Sequence, residues 1–172
     1  GDLEVVPQRG NVNTRLDQVL DGDLDACVLA RAGLERLGLA DHISEVLSVE
    51  RFLPAVGQGI VGITCREDDD ETRALVERKL RDPDAWAAAL AERAFLRGTN
   101  GGCNAPIAGH ATVSGGEVHL RGRVLSVDGS RRLEGEVRGP SAGAEDLGSA
   151  LADDLLSRGA GALVEEARRL TS

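Results

Sequence analysis

The chain has 172 residues, a net charge of −9, 41% hydrophobic residues and only 2% aromatic ones. That length suits one domain or two small ones, with a core built from Leu, Val, Ile and Ala. The acidic balance argues against a general affinity for nucleic acid, which needs a basic footprint; no apolar run approaches the roughly 18–20 residues of a membrane span, and with no basic, apolar leader in view the chain is expected to be soluble. Three cysteines far apart, at Cys27, Cys65 and Cys103, suit a reducing cytoplasm.

In chain order, Leu3 to Val6 reads as a short strand, followed by Pro7 and the turn Arg9-Gly10-Asn11. Asn11 or Asn13 is placed to cap a helix carrying Leu16, Val19 and Leu20 on one face. Ala26 to Ala30 is an apolar run suited to a buried parallel strand. A turn of helix over Ala32 to Leu37, closed by Gly38, and a short helix from Asp41 to Leu47 follow. Strand–helix–strand–helix order implies a βαβ arrangement, of which only a fragment is expected here.

Leu53-Pro54-Ala55-Val56-Gly57-Gln58-Gly59 reads as a glycine-punctuated loop and Ile60 to Cys65 as a buried strand. Asp68 to Arg81 predicts a helix with an acidic first turn, which suits the helix dipole. Asp82-Pro83 predicts the start of another, with Trp86, Leu90 and Ala94 on one face and Gly98 at its end. From Ala105 the period changes. Ile107 to Val113, Val118 to Val127 and Leu133 to Val137 read as strands joined by turns at Gly115-Gly116 and Asp128-Gly129. Leu147, Leu151 and Leu155 mark an amphipathic helix ended by Gly159, and Leu163, Val164, Ala167 and Leu170 mark a last one. The fold class expected is an α/β remnant followed by a small α+β domain, a three-stranded antiparallel sheet with helices on one face.

Two features point to chemistry. Cys103 lies in the polar loop Asn100-Gly101-Gly102-Cys103-Asn104, where the glycines allow close backbone approach and keep a thiol accessible. A thiolate there suits a nucleophile or an attachment point, although an exposed cysteine is often merely tolerated. Cys27 and Cys65, inside apolar runs, are expected to be buried like small hydrophobes. An odd cysteine count without CxxC spacing argues against disulfides and a cysteine-rich zinc site, and His42, His110 and His119 lack ligand spacing, so no metal is expected. The second feature is Arg9, Arg15, Arg31 and Arg36 within a short stretch. Ends of parallel strands are where α/β sheets bind ligands, and arginine forks pair with carboxylates. The competing reading is a solvated helix face with ion pairs to Asp17 and Asp21.

Several segments then carry a resemblance. Arg9-Gly10-Asn11-Val12-Asn13-Thr14-Arg15-Leu16, the run Asp25 to Ala30 with Ala32 to Gly38, Leu53 to Gly59, Glu92-Arg93-Ala94-Phe95-Leu96, and Gly101-Gly102-Cys103-Asn104-Ala105-Pro106-Ile107 resemble, in order and spacing, segments of the porphobilinogen deaminase (hydroxymethylbilane synthase) family. The resemblance implies a transferase of tetrapyrrole biosynthesis. It implies a dipyrromethane cofactor held by thioether on Cys103, extended by four porphobilinogen units with loss of ammonia and released as hydroxymethylbilane by hydrolysis. Arg9, Arg15 and Arg36 match arginines that the family uses to hold ring carboxylates.

The same resemblance implies a layout: residues 1–50 a partial second domain of periplasmic-binding-protein type, 51–81 a segment returning to the first domain, and 82–172 a C-terminal α+β domain with the attachment loop. The family's catalytic aspartate lies before the segment that begins here, so no catalytic residue is identified, and the 172 residues alone are expected to be inactive. The expected partners are porphobilinogen and the growing polypyrrole. The preceding part supplied as a separate chain is one further partner; otherwise a monomer is expected. Two rival readings are a non-catalytic carboxylate-binding module and a structural or regulatory α+β domain. Neither needs a thiol on a Gly-Gly loop.

Overall fold

The computed structural model describes residues 3–102 and 105–171. The chain divides into two units, Gly1–Leu47 and Ser48–Ser172.

In the second unit, side-chain caps set two of the helix starts. Asp69 accepts the Thr72 N–H at 3.0 Å and starts the helix Asp70–Lys79. That backbone bond, with the Thr72 hydroxyl, holds the Asp69 carboxyl below the usual carboxylate range. Asp82 accepts from Ala85 N at 2.8 Å, with Pro83 in the first turn of the helix Pro83–Gly98. The strands β1 (Ile107–Ser114), β2 (Glu117–Leu125) and β3 (Arg132–Pro140) form one antiparallel sheet in the order β1-β2-β3. Gly115 and Gly116, at φ 60° and 78°, make the two-residue hairpin turn between β1 and β2. Two helices, Ala144–Ser157 and Ala160–Thr171, complete the unit. In chain order the helices are α1 (Val12–Leu20), α2 (Arg31–Arg36), α3 (Asp70–Lys79), α4 (Pro83–Gly98), α5 (Ala144–Ser157) and α6 (Ala160–Thr171).

Side chains alternate along the sheet, as a half-buried sheet requires. Ile107, Gly109 and Ala111 of β1 and Val118, Leu120 and Val124 of β2 face the core, where α4 and α5 cover them. Phe95 of α4 is 0% exposed. It sits where Gly122 has no side chain: a Cβ there would come within 2.6 Å of the Phe95 ring. The outer face is polar. Arg123 meets Glu134, its cross-strand partner, at 2.9 Å, and His119 bonds Glu136 at 3.0 Å. The His119 bond is the first reason the Glu136 carboxyl lies below its ordinary pKa. The three-stranded sheet with helices on one face is the expected C-terminal architecture. On α4 the buried side chains are Ala87, Ala88, Ala91, Glu92, Ala94 and Phe95, with Leu90 partly buried, while Trp86 is 47% exposed and Arg81 stacks 4.3 Å from its ring centre.

The first unit holds α1 and α2, with a short 3-10 turn at Ala40–His42 in place of the helix expected over Asp41 to Leu47. Leu16 and Leu34 are its buried side chains among the described residues. The strands expected at Leu3–Val6, Ala26–Ala30 and Ile60–Cys65 do not form. Strand geometry persists only when a neighbour takes up the backbone N–H and C=O groups, and these three segments have no strand partner among the described residues. For the same reason the α/β remnant has no sheet here. Cys27 is half-buried and Cys65 exposed rather than enclosed, because the strands that were to bury them are absent.

Candidate functional site

The arginine segment is organised by the N-terminus of α1. The Asn11 side chain accepts the Thr14 N–H at 2.9 Å and the Thr14 hydroxyl at 3.0 Å. Gly10 precedes the cap at φ 107°, a conformation open to glycine, and a Cβ there would also meet Thr14 Cγ2 at 2.9 Å. Arg15 Nε donates to Gly10 O at 2.9 Å, so the guanidinium folds back over the cap. Gln8 Nε2 donates to Arg15 O at 2.9 Å and ties the approach to α1 to the helix. Arg9 is exposed just before the cap, Arg15 is half-buried, and Arg36 is exposed as the last residue of α2. α2 packs on the first turn of α1 through Gly33, whose Cβ would lie 3.6 Å from Val12 Cγ2.

The competing reading of this segment required ion pairs to Asp17 and Asp21. Among the described residues Arg9, Arg15 and Arg36 form no salt bridge, whereas Arg31 pairs with Glu35 at 2.6 Å. Arg9 and Arg36 have no carboxylate partner among the described residues, and Arg15 spends its Nε on the Gly10 carbonyl rather than on a carboxylate.

Cys103 lies outside the described residues, but its flanks are fixed. α4 ends in a paired motif: Asn100 N donates to Arg97 O at 2.9 Å and Gly101 N to Leu96 O at 3.1 Å, with Asn100 left-handed at φ 58°. The buried Thr99 hydroxyl bonds the Phe95 and Leu96 carbonyls, each at 3.0 Å. The Arg168 guanidinium of α6 donates to Asn100 O. A Cβ at Gly101 would fall 2.4 Å from Ile107 Cδ1, a side-chain end that would have to shift, while Gly102 faces open space. Beyond the cysteine, Ala105 N donates back to Gly102 O at 3.1 Å. The loop is thus pinned at both ends by the core.

Sequence reasoning passed over Glu92. It is 3% exposed on the buried face of α4 and accepts the N–H groups of Gly57 at 2.7 Å and Ala111 at 2.8 Å, with His110 Nδ1 at 3.7 Å from the same carboxylate. Its signal was present: a glutamate inside the otherwise apolar stripe Ala88, Ala91 and Phe95. Among the described residues no group of three or more His, Cys, Asp or Glu is placed to hold a metal, and no helix is long and apolar enough to cross a membrane.

Arg9, Arg15 and Arg36 form no ion pair among the described residues, and the segment that carries Cys103 in sequence follows α4. Two family models match the chain. Residues 1–74 match the family model "Porphobilinogen deaminase, dipyromethane cofactor binding domain", and residues 86–157 match "Porphobilinogen deaminase, C-terminal domain". The porphobilinogen deaminase of Syntrophotalea carbinolica is 50% identical over 159 residues, 92% of this chain and 50% of the relative. Those of Pelobacter propionicus and Geobacter metallireducens are 47% and 48% identical over 165 residues, 96% of this chain and 53% and 52% of the relatives. The chain spans about half the length of the curated relatives it matches. It belongs to the porphobilinogen deaminase family.

Proposed function

We propose that this chain serves a hydroxymethylbilane synthase of the cytoplasm, in which Cys103 carries a dipyrromethane cofactor and Arg9, Arg15 and Arg36 hold ring carboxylates. The observation that carries the reading is the near-50% identity to porphobilinogen deaminases across almost the whole chain. The residues present fit such a group, because its acetate and propionate side chains call for cationic forks and these three arginines are not spent on internal carboxylates. When bound, the dipyrromethane supplies the terminal pyrrole on which porphobilinogen units are added. Each remaining task falls to the chain. A thioether at Cys103 keeps the growing product from dissociating, so successive additions are effectively intramolecular. The arginines bind and orient carboxylates without moving protons, since guanidinium stays charged.

In this reading residues 1–50 are part of a periplasmic-binding-protein-like α/β domain, 51–81 cross to another domain, and 82–172 form the domain bearing the attachment loop. The exposed apolar runs at Leu3–Val6 and Ala26–Ala30 support it, because they carry strand composition without sheet neighbours. In this reading the chain, which spans about half the length of the relatives it matches, is expected by itself to leave porphobilinogen unconsumed. The test is made in the full-length enzyme. Wild type should show an intact-mass excess of two pyrrole units, and Cys103→Ser should lose both the excess and turnover. Arg9→Leu or Arg15→Leu should weaken carboxylate-dependent binding by about 10- to 100-fold, the cost of one charge-assisted hydrogen bond. Full activity in Cys103→Ser would overturn the assignment.

A further inference from the structure

β1 is an edge strand: in the sheet order only β2 lies beside it. An edge strand leaves every second N–H facing outward and unpaired by the sheet. Two of those groups in β1 find partners without another strand. Gly109 N donates to Pro54 O at 3.0 Å, and Ala111 N donates to Glu92 Oε1 at 2.8 Å. The second Glu92 oxygen accepts Gly57 N at 2.7 Å. One buried carboxylate is therefore shared between the strand and the loop that covers it.

The cover is residues 53–57. Leu53 is buried, Ala55 bridges Ala108, and Val56 lies over Gly109, where a Cβ would stand 3.0 Å from Val56 Cγ2. A single backbone bond from Gly109 is a weak hold, worth about 0.5–1.5 kcal/mol net for an ordinary hydrogen bond. Bonds to a carboxylate are stronger, and a buried carboxylate deprived of one donor is itself costly. From Gly57 onward no helix or strand occurs until α3, which buries none of its residues.

We infer that residues 53–57 are a strap that closes and opens on the edge of β1 as one unit, and that Glu92 is its latch. Closed, the strap makes the start of the 58–79 segment part of the C-terminal body. Open, it frees that segment's anchor and exposes the β1 edge.

Amide hydrogen exchange on the 172-residue chain tests this. In the wild type, Gly57, Gly109 and Ala111 should exchange together at one rate, faster than Leu120 and Val124 of the central strand. Glu92→Gln keeps the side chain's size but turns one acceptor into a donor. It should speed exchange at Gly109, whose own acceptor is Pro54 O, by about 10-fold or more, with Leu120 and Val124 unchanged. Unchanged protection at Gly109 in that variant would overturn the latch. Should Glu92→Gln lose protection at Leu120 and Val124 as well, Val56→Ala decides, since it leaves the Glu92 carboxylate and both of its backbone donors in place. Joint acceleration at Gly57, Gly109 and Ala111 supports the strap, and three independent rates refute it.

Discussion

The two units solve the problem of burying apolar side chains to very different degrees. In Ser48–Ser172 two helices cover one face of a complete sheet, and Phe95, Val118, Leu120, Val124 and Leu155 are wholly enclosed. In Gly1–Leu47 only Leu16 and Leu34 are buried among the described residues, while Val5 and Val28 are 91% and 64% exposed. Both units have well-made helix starts. What separates them is the sheet: local signals suffice for a helix, whereas a strand depends on partners distant in sequence.

The sharpest way to break this comparison is to make the same kind of deletion in each unit. Phe95→Ala should cost the C-terminal unit about 3–5 kcal/mol, because the glycine-lined hollow around the ring cannot close on the void. Leu16→Ala should cost about 2 kcal/mol or less, since a sparsely packed site collapses readily. Urea unfolding followed separately by signals from each unit measures both, and a larger loss at Leu16 would reverse the ranking.

A smaller effect sharpens the role of local signals. Asn11→Ala removes the acceptor for Thr14 N and should cost α1 about 1 kcal/mol. Backbone chemical shifts of Val12 to Leu20 should move toward coil. If they do not, α1 is held by something other than its cap.

The smallest expected effect is in the turn between β2 and β3. The Asp128 carboxylate accepts from Ser126 Oγ at 2.5 Å and from Ser130 N at 3.1 Å. These bonds, the Ser126 hydroxyl first, lower its pKa from 3.8 to about 2. A depressed carboxylate stabilises the fold fully above its unfolded value of 3.8 and loses that contribution as the pH falls through about 2. The stability difference between wild type and Asp128→Asn should therefore shrink as the pH drops from about 4 to about 2. A difference that stays constant over that window would remove the charge from the explanation.

The arginines and the cysteine loop were legible to different depths. The RGN-x-x-TR pattern located Arg9 and Arg15 at a helix start, and Asn11 does cap α1. That these arginines form no ion pair was not legible, because Asp17 and Asp21 sit at plausible ion-pair spacing and only the geometry sends Arg15 Nε to Gly10 O instead. The placement of the Gly101-Gly102 loop between a helix and a strand was readable. Its two glycines then proved unlike: one is packed against Ile107 and the other faces open space.

The sequence by itself determined what depends on neighbours a few residues away. Asp82-Pro83 starts α4, Gly115-Gly116 turns β1 into β2, and the alternation from Val118 to Val124 sets the buried face of β2. These follow from capping bonds, positive φ and period two, which are local. Tertiary structure alone decided which apolar runs become strands, how the Phe95 ring is seated in the core, and why Glu92 is buried. Each of these turns on a partner supplied from far along the chain: a strand to take up N–H groups, a glycine hollow at Gly122, and the Gly57 and Ala111 amides that satisfy both oxygens of a carboxylate.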